Sequence, residues 1–400
     1  MNDRSHHVAA CLSRRHFLTR ASALAVAGAC GGVDLAFATA APGARYDNLL
    51  VLVELKGGND GFNTLVPYAD TGYYRLRPKL AVAHDTVIKL DDRVGLHPVL
   101  APLLPAWEKK ELAVLQGVGY PDPNLSHFRS IEIWDTASRS HEYLQSGWLA
   151  RTFGAVPTPS TFAGDGVVIG SNDMGPLAGG GARALALADT DRFVDRARLV
   201  HTETIQGNAA LMHVLKTEGD IVAAASRLAR HRTFTTAFPK TPFGESLRTA
   251  SEVVGNTASV AAVRVTLNGF DTHRGQAAIQ PRLLQDLAEG LVALRSALGE
   301  IDRWRNTLVL TYAEFGRRPQ ENLSVGTDHG TASVHFALGG RVAGGLYGET
   351  PSLARITGND NVAHAIDFRA VYATALAQWW GIDAPTILGE RFAAVPYLRT

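Results

Sequence analysis

Cysteine is nearly absent from this 400-residue chain, and the two present, Cys11 and Cys30, both fall in the first 38 positions. The remainder has no disulfide framework and no thiolate metal site. A charge imbalance is lacking too. Of 39 Lys and Arg and 38 Asp and Glu, four and two lie in that same leader, so residues 39–400 are balanced to within one charge. Without a basic block there is no electrostatic footprint for nucleic acid or anionic lipid. No later apolar run reaches the ~20 residues of a membrane-spanning helix. No internal repeat is visible. These absences leave a chain that can bury one large core and is held by that burial or by metal.

The leader itself is informative. Ser13-Arg14-Arg15-His16-Phe17-Leu18 precedes a small, apolar run from Ala21 to Ala29 and ends at Ala36-Phe37-Ala38. Paired arginines, a moderately apolar segment and an A-x-A site together read as a twin-arginine signal peptide over 1–38. The expectation is export to the periplasm or beyond, with the twin-arginine translocase as a partner and 39–400 as a single domain. Ala27-Gly28-Ala29-Cys30 resembles a lipobox with a poor first residue, which makes lipid anchoring the lesser alternative.

Leu49-Leu50-Val51-Leu52-Val53-Glu54-Leu55 is an almost unbroken apolar run, the pattern of a strand covered on both faces. Leu112 to Leu115, Val260 to Leu267, Thr307 to Thr311 and Val334 to Leu338 read as further strands. Pro98 to Glu111, Arg282 to Leu298 and Asp367 to Trp380 read as helices. The alternation predicts an α/β fold, a doubly wound, mainly parallel sheet with helices on both faces. Residues 152–251, with a Gly-rich patch and a helical stretch from Arg192 to Arg230, are expected to form a cap insertion.

Polar residues gather where the strands stop. Asp60 follows the first, Ser126 and His127 the second, Asp271 and His273 the third and Glu314 the fourth, while Asp328 and His329 precede the fifth. Ligands of open α/β sheets bind outside the carboxyl ends of the strands. Carboxylates and imidazoles converging there suit one or two divalent metals, Zn, Mn, Mg or Ca. Each cluster also has a plainer reading: Asp60 as a turn residue, Ser126 as a helix N-cap, Asp271 and His273 as a surface turn, Glu314 as a cap carboxylate. Their recurrence at successive strand ends favours a shared site. His97 is expected to order a helix start. His201 and His213 lie in the cap without a carboxylate partner, and His335 reads as a satisfied buried imidazole close enough to His329 to be a further ligand.

At these motifs the chain resembles the exported family known as DUF1501, the domain of unknown function 1501, grouped with the alkaline phosphatase and sulfatase superfamily. The matching stretches are Leu55 to Thr64, Pro121 to Phe128, Gly269 to His273, Glu314 to Arg317, Thr327 to Gly330 and Asp367 to Tyr372. The resemblance implies an alkaline phosphatase-like domain in which Asp60, Asp271, His273, Asp328 and His329 hold metal, to which the gathering of polar residues at the strand ends adds Glu314. It also implies Ser126 as a metal-activated nucleophile, with His127, Arg129, Arg317 or Arg318 against the substrate anion. The implied activity is hydrolysis of a small or polymeric phosphate or sulfate ester. Two departures stand out. Glu314-Phe315 occupies the place where the superfamily carries Asp-His, and Asp271-x-His273 is tighter than the usual pair. The alternatives are a non-catalytic metal-binding accessory or scaffold protein of the envelope, and a repurposed redox metalloenzyme.

Overall fold

Strand β1, Leu49–Lys56, is buried at every position but its last. It is flanked on both sides by parallel partners: β5, Ala262–Asn268, and β6, Thr307–Tyr312. A computed structural model of the chain describes residues 43–187, 232–256, 260–358 and 360–399. Around β1 it builds a nine-stranded sheet. The further strands are β2 (Leu112–Gly119), β3 (Gly166–Ile169), β4 (Ala184–Leu187), β9 (Ser333–Leu338), β10 (Gly345–Tyr347) and β11 (Ile366–Asp367). The order is β10-β2-β9-β6-β1-β5-β3-β4, with β11 also on β2. Strand β9 alone runs antiparallel to its neighbours β2 and β6. The doubly wound, mainly parallel α/β fold expected from the sequence is the one observed.

The direction of β9 matters for the site. A hairpin of β7 (Gly316–Glu321) and β8 (Thr327–Gly330) returns the chain after β6, so β9 starts at the rim where β2 and β6 end. Asp328 and His329, which precede a strand, therefore reach the same edge as residues that follow strands.

Side chains of β1 alternate between two cores. Leu50 and Leu52 pack on the face covered by helices α1 (His127–Thr136), α2 (Trp148–Ala155) and α5 (Phe368–Thr374). Leu49, Val51, Val53 and Leu55 pack under α3 (Pro242–Gly255) and α4 (Gln276–Glu300). Burial on both faces is what permits the unbroken apolar run.

Several elements differ from their sequence reading. Pro98 to Glu111 is a 3-10 turn, Pro98–Leu103, followed by the short α-helix Leu104–Glu108, because Pro102 and Pro105 cannot donate to a continuous helix. His97 accepts from Val99 N at its start. Helix α4 begins six residues earlier than its apolar period and runs through Pro281. The first turn places Gln276 and Gln280 against the loop after β1. Within the segment expected to cap the sheet, β3 and β4 instead extend the sheet edge and α3 packs on its face. The stretch from Arg192 to Arg230, with His201 and His213, lies outside the described residues, as does the signal peptide. Ala44–Thr400 form one unit. No helix among the described residues is long and apolar enough to cross a membrane.

Candidate functional site

The turn after β1 lays the floor of the rim. Gly57 and Gly58 have φ of +112° and +84°, values that disfavour any side chain. A Cβ on Gly57 would stand 2.3 Å from Asp271 N. The two loops can touch only because that position is glycine. Asp60 then caps the single helical turn Gly61–Thr64 by accepting from Phe62 N at 3.1 Å. Its carboxylate faces Arg77, Nη2 to Oδ1 being 2.9 Å, and both side chains are fully buried. Gln276 also donates to it. Asp60 thus ties the β1 turn to α4 and, through Arg77, to the carbonyls of Arg318 and Pro319. It is spent on this scaffold and does not face the histidines of the rim.

Asp271, His127, His273 and His329 meet at one point. Asp271 Oδ1 lies 3.6 Å from His127 Nε2, 3.2 Å from His273 Nε2 and 3.6 Å from His329 Nε2. The ligand atoms of His127, Asp271 and His329 all fall within 4.8 Å of one another. The second nitrogen of each ring is engaged. His127 Nδ1 is 2.8 Å from Glu314 Oε1, His273 Nδ1 is 3.0 Å from Asp328 Oδ1, and His329 Nδ1 is 2.7 Å from Leu125 O. With the protons on the Nδ1 atoms, which face these acceptors, each Nε2 presents a lone pair toward the Asp271 carboxylate. His273 and His329 bring two such nitrogens to 2.9 Å. Lone pairs and a carboxylate crowded together repel, and a cation between them removes the repulsion. The outward bonds to carboxylates and a carbonyl are those that orient metal-bound histidines. His127, Asp271 and His329 therefore fit a single metal ion, with Glu314 hydrogen-bonded behind His127 and Asp328 behind His273.

Glu314 follows β6 and is 2% exposed. Its Oε1 also accepts from Gly57 N at 2.9 Å, while Oε2 is buried with no hydrogen-bond partner. The bond to Glu314 raises the pKa of His127 against the opposing effect of burial. Burial lowers that of His329. Burial also works against ionisation of Asp271, but the hydrogen bond and charge of Arg317 outweigh it and hold the carboxyl below its ordinary range. The site is open on one side, with the Asp271 side chain 50% exposed.

The arginines are mostly committed. Arg317 is buried and donates to the carbonyls of Gly57, Gly58, Phe270 and Thr327 as well as to Asp271 at 2.7 Å. It fastens the three rim loops together, so its fork is unavailable to a substrate. Arg129 is turned into the protein: Nη2 donates to the carbonyls of Arg139, Ser140 and Glu142 and Nη1 lies 2.9 Å from Glu132 Oε2, while Nε is buried with no hydrogen-bond partner. Ser126 sits one residue before His127 at the N-terminus of α1, exposed, with its hydroxyl making no capping bond. Its backbone N–H donates to Asn124 Oδ1 at 2.9 Å, and Asn124 is itself held by Tyr120. Ser130 locks α1 to Glu314 O.

Beneath the rim lies a buried polar group that the sequence reading passed over. Arg264 Nη2 is 2.7 Å from Glu54 Oε2, its Nε donates to Tyr312 at 2.8 Å, and Asp135 completes the set. Burial raises Glu54 and Asp135 despite Arg264. The available signal was Glu54 and Arg264 interrupting apolar strands at neighbouring registers. His335 is buried against Trp134, both ring nitrogens lack partners, and burial lowers its pKa to about 3. It does not join the cluster.

A family model described as "Protein of unknown function (DUF1501)" matches residues 47–389. The chain belongs to this family. The fold of this DUF1501 chain is similar to that of Ps i-CgsB, at 10% identity and TM-score 0.36, over 86% of this chain and 72% of that one. It is similar to the C-terminal periplasmic domain of EcEptC from Escherichia coli, solved in complex with Zn, at 10% identity and TM-score 0.34, over 73% and 72%. The phosphonate monoester hydrolase of Agrobacterium radiobacter gives 10% identity and TM-score 0.34, over 86% and 78%. At such values the likeness concerns the fold and carries nothing about chemistry. No curated protein matches the sequence.

Proposed function

We propose that this DUF1501 protein is an exported, metal-dependent hydrolase of phosphate or sulfate esters. The observation that carries the reading is the convergence of three imidazole Nε2 atoms on the Asp271 carboxylate, each ring oriented from behind. His127, His273, His329 and Asp271 would hold the ion. Three nitrogens and one carboxylate favour zinc over calcium or magnesium. When bound, such an ion supplies Lewis acidity and positive charge toward an anionic ester.

The other residues take definite roles. Ser126, exposed beside His127 and free of a capping bond, is the nucleophile. Its Oγ forms the new bond to phosphorus or sulfur as the alcohol leaves, and water then releases the acid. Glu314 and Asp328 orient His127 and His273. Arg317 positions Asp271, and Asp60 and Arg129 are structural. Export rests on the motif from Ser13 to Leu18, outside the described residues.

The decisive assay uses p-nitrophenyl phosphate, bis-p-nitrophenyl phosphate and p-nitrophenyl sulfate with zinc-loaded protein. Turnover of one ester is expected, with Ser126→Ala lowering kcat by about a thousandfold or more while the metal stays bound. Unchanged turnover in Ser126→Ala removes the serine from the reaction. Stoichiometric metal with no turnover on any ester favours a non-catalytic or redox role, which the same donors could serve.

A further inference from the structure

Opposite the metal-type cluster is the edge of the sheet where β1, β2 and β6 begin and β9 ends. No single segment there is basic, yet the fold gathers cations from several. Arg45 precedes β1, Lys109 and Lys110 precede β2, Arg305 precedes β6, and Arg341 follows β9. Backbone bonds fix their proximity. Arg399 N donates to Arg341 O at 2.9 Å, and Arg399 Nη2 donates to the carbonyls of Lys109 and Lys110 at 3.3 and 2.7 Å. Gly340 N donates at 3.2 Å to the carbonyl of Trp304, the residue before Arg305. Arg341 stands 4.9 Å over the Trp379 ring, and Arg45 N donates to Trp380 O at 2.8 Å.

These charges are not compensated from within. The guanidinium bonds of Arg45 and Arg341 go to neutral oxygens, Gln378 O at 2.7 Å and Asn48 Oδ1 at 3.4 Å. Burial lowers the pKa of Arg341, and the positive charges of Arg45 and Arg305 lower it further with no carboxylate opposing them. Carboxylates border the patch but are turned elsewhere. Glu111 is held by Arg295 at 2.7 Å, Asp47 acts on Arg303, Glu300 accepts from Thr235 and Thr236, and Asp383 caps Thr386. Glu108 and Asp302 are exposed at its margin. Apart from the half-buried Arg341, the cations of the patch are exposed.

The chain also enters the domain at this edge, through Ala44 and Arg45. Residues 31–44 separate it from the apolar run Ala21 to Ala29, and such a stretch spans at most about 50 Å. An apolar run seated in a bilayer keeps the basic edge within that reach of lipid, and docking there leaves the open rim uncovered. We propose that this edge is a docking surface for an anionic bilayer, formed by Arg45, Lys109, Lys110, Arg305, Arg341 and Arg399. The proposal is independent of the chemistry at the rim.

The test is sedimentation of the full chain with vesicles of phosphatidylcholine, alone or mixed with phosphatidylglycerol. Each basic residue near an anionic surface is worth about fivefold in binding. The double variant Lys109→Gln, Arg305→Gln should therefore bind the anionic vesicles about 25-fold more weakly than wild type and the neutral vesicles equally. Lys109→Glu with Arg305→Glu should weaken binding further. The wild-type preference for anionic vesicles should fade between about 0.1 M and about 1 M salt. The leader is the same in every variant, so its own affinity for lipid cancels, and thermal melts matching wild type keep a folding defect out of the comparison. Unchanged binding of both double variants to anionic vesicles, or no wild-type preference for them, overturns the proposal. Capture of soluble polyphosphate through these residues without vesicle binding overturns it too, since the partner is then a soluble polyanion.

Discussion

Replacing Asp60 with asparagine separates a scaffold carboxylate from a metal ligand. Asp60 and Arg77 are a two-pronged pair with no solvent exposure on either side chain. Asparagine keeps the shape and the capping acceptor for Phe62 N but leaves the guanidinium charge unpaired. For unit charges about 4 Å apart, an effective dielectric of 20 gives about 4 kcal/mol. Removing one partner of a buried pair costs about 3–5 kcal/mol in comparable cases. The two figures agree, so the variant should unfold in urea with stability reduced by about that amount. Metal content measured on the folded fraction should match wild type, because Asp60 does not face the imidazoles. Asp271→Asn should do the reverse, losing metal with a smaller loss of apoprotein stability, since Asp271 is half exposed and the buried Arg317 it pairs with keeps its four carbonyl acceptors. Loss of metal from Asp60→Asn at unchanged stability would refute this assignment.

The same geometry sets three further outcomes. Glu314→Gln should weaken metal binding by about 10–100-fold, the usual effect of disturbing a ligand's orienting partner, and NMR titration of the apoprotein should show the His127 pKa falling, since Glu314 is what raises it. Gly57→Ala should drive the Asp271 loop away, because its Cβ would lie 2.3 Å from Asp271 N; metal retention should drop and stability fall by about 1–3 kcal/mol from backbone strain. His335, held neutral by burial with a pKa of about 3, binds a proton in the unfolded chain that the folded chain refuses. Stability should therefore rise with pH between about 3 and 6.5 and decline as acid is added through that window, by about 1.4 kcal/mol per pH unit from this group. His335→Phe should flatten that part of the urea stability profile, and an unchanged slope would show the acid sensitivity to lie elsewhere.

Much of the frame was legible because it is written in local pattern. The apolar run of β1 and the leucine period of α4 require burial on particular faces, and strand-end polar residues in such a sheet share an edge. Short elements were not legible. Strands β3 and β4, four residues each, sit among glycines that blur any period, and the direction of β9 is decided by the hairpin before it. At the site, the sequence could indicate which residue types gather but not which atoms face each other. Asp60 looks like a rim ligand until Arg77, on a later helix end, claims it. His127 looks like a substrate contact until Glu314 turns its Nε2 toward Asp271. Arg317 looks like an anion clamp until three loops are found hanging from its fork. Choice of partner is a tertiary event, and nothing in the spacing encodes it.

Everything proposed for the rim depends on one metal ion sitting among His127, His273, His329 and Asp271. Anomalous diffraction at the zinc edge, from crystals of protein loaded with one equivalent of zinc, addresses it directly. A single strong peak is expected about 2.0–2.2 Å from the three Nε2 atoms and from Asp271. A peak bonded to Asp60 or His335, or no peak at the cluster, would contradict it.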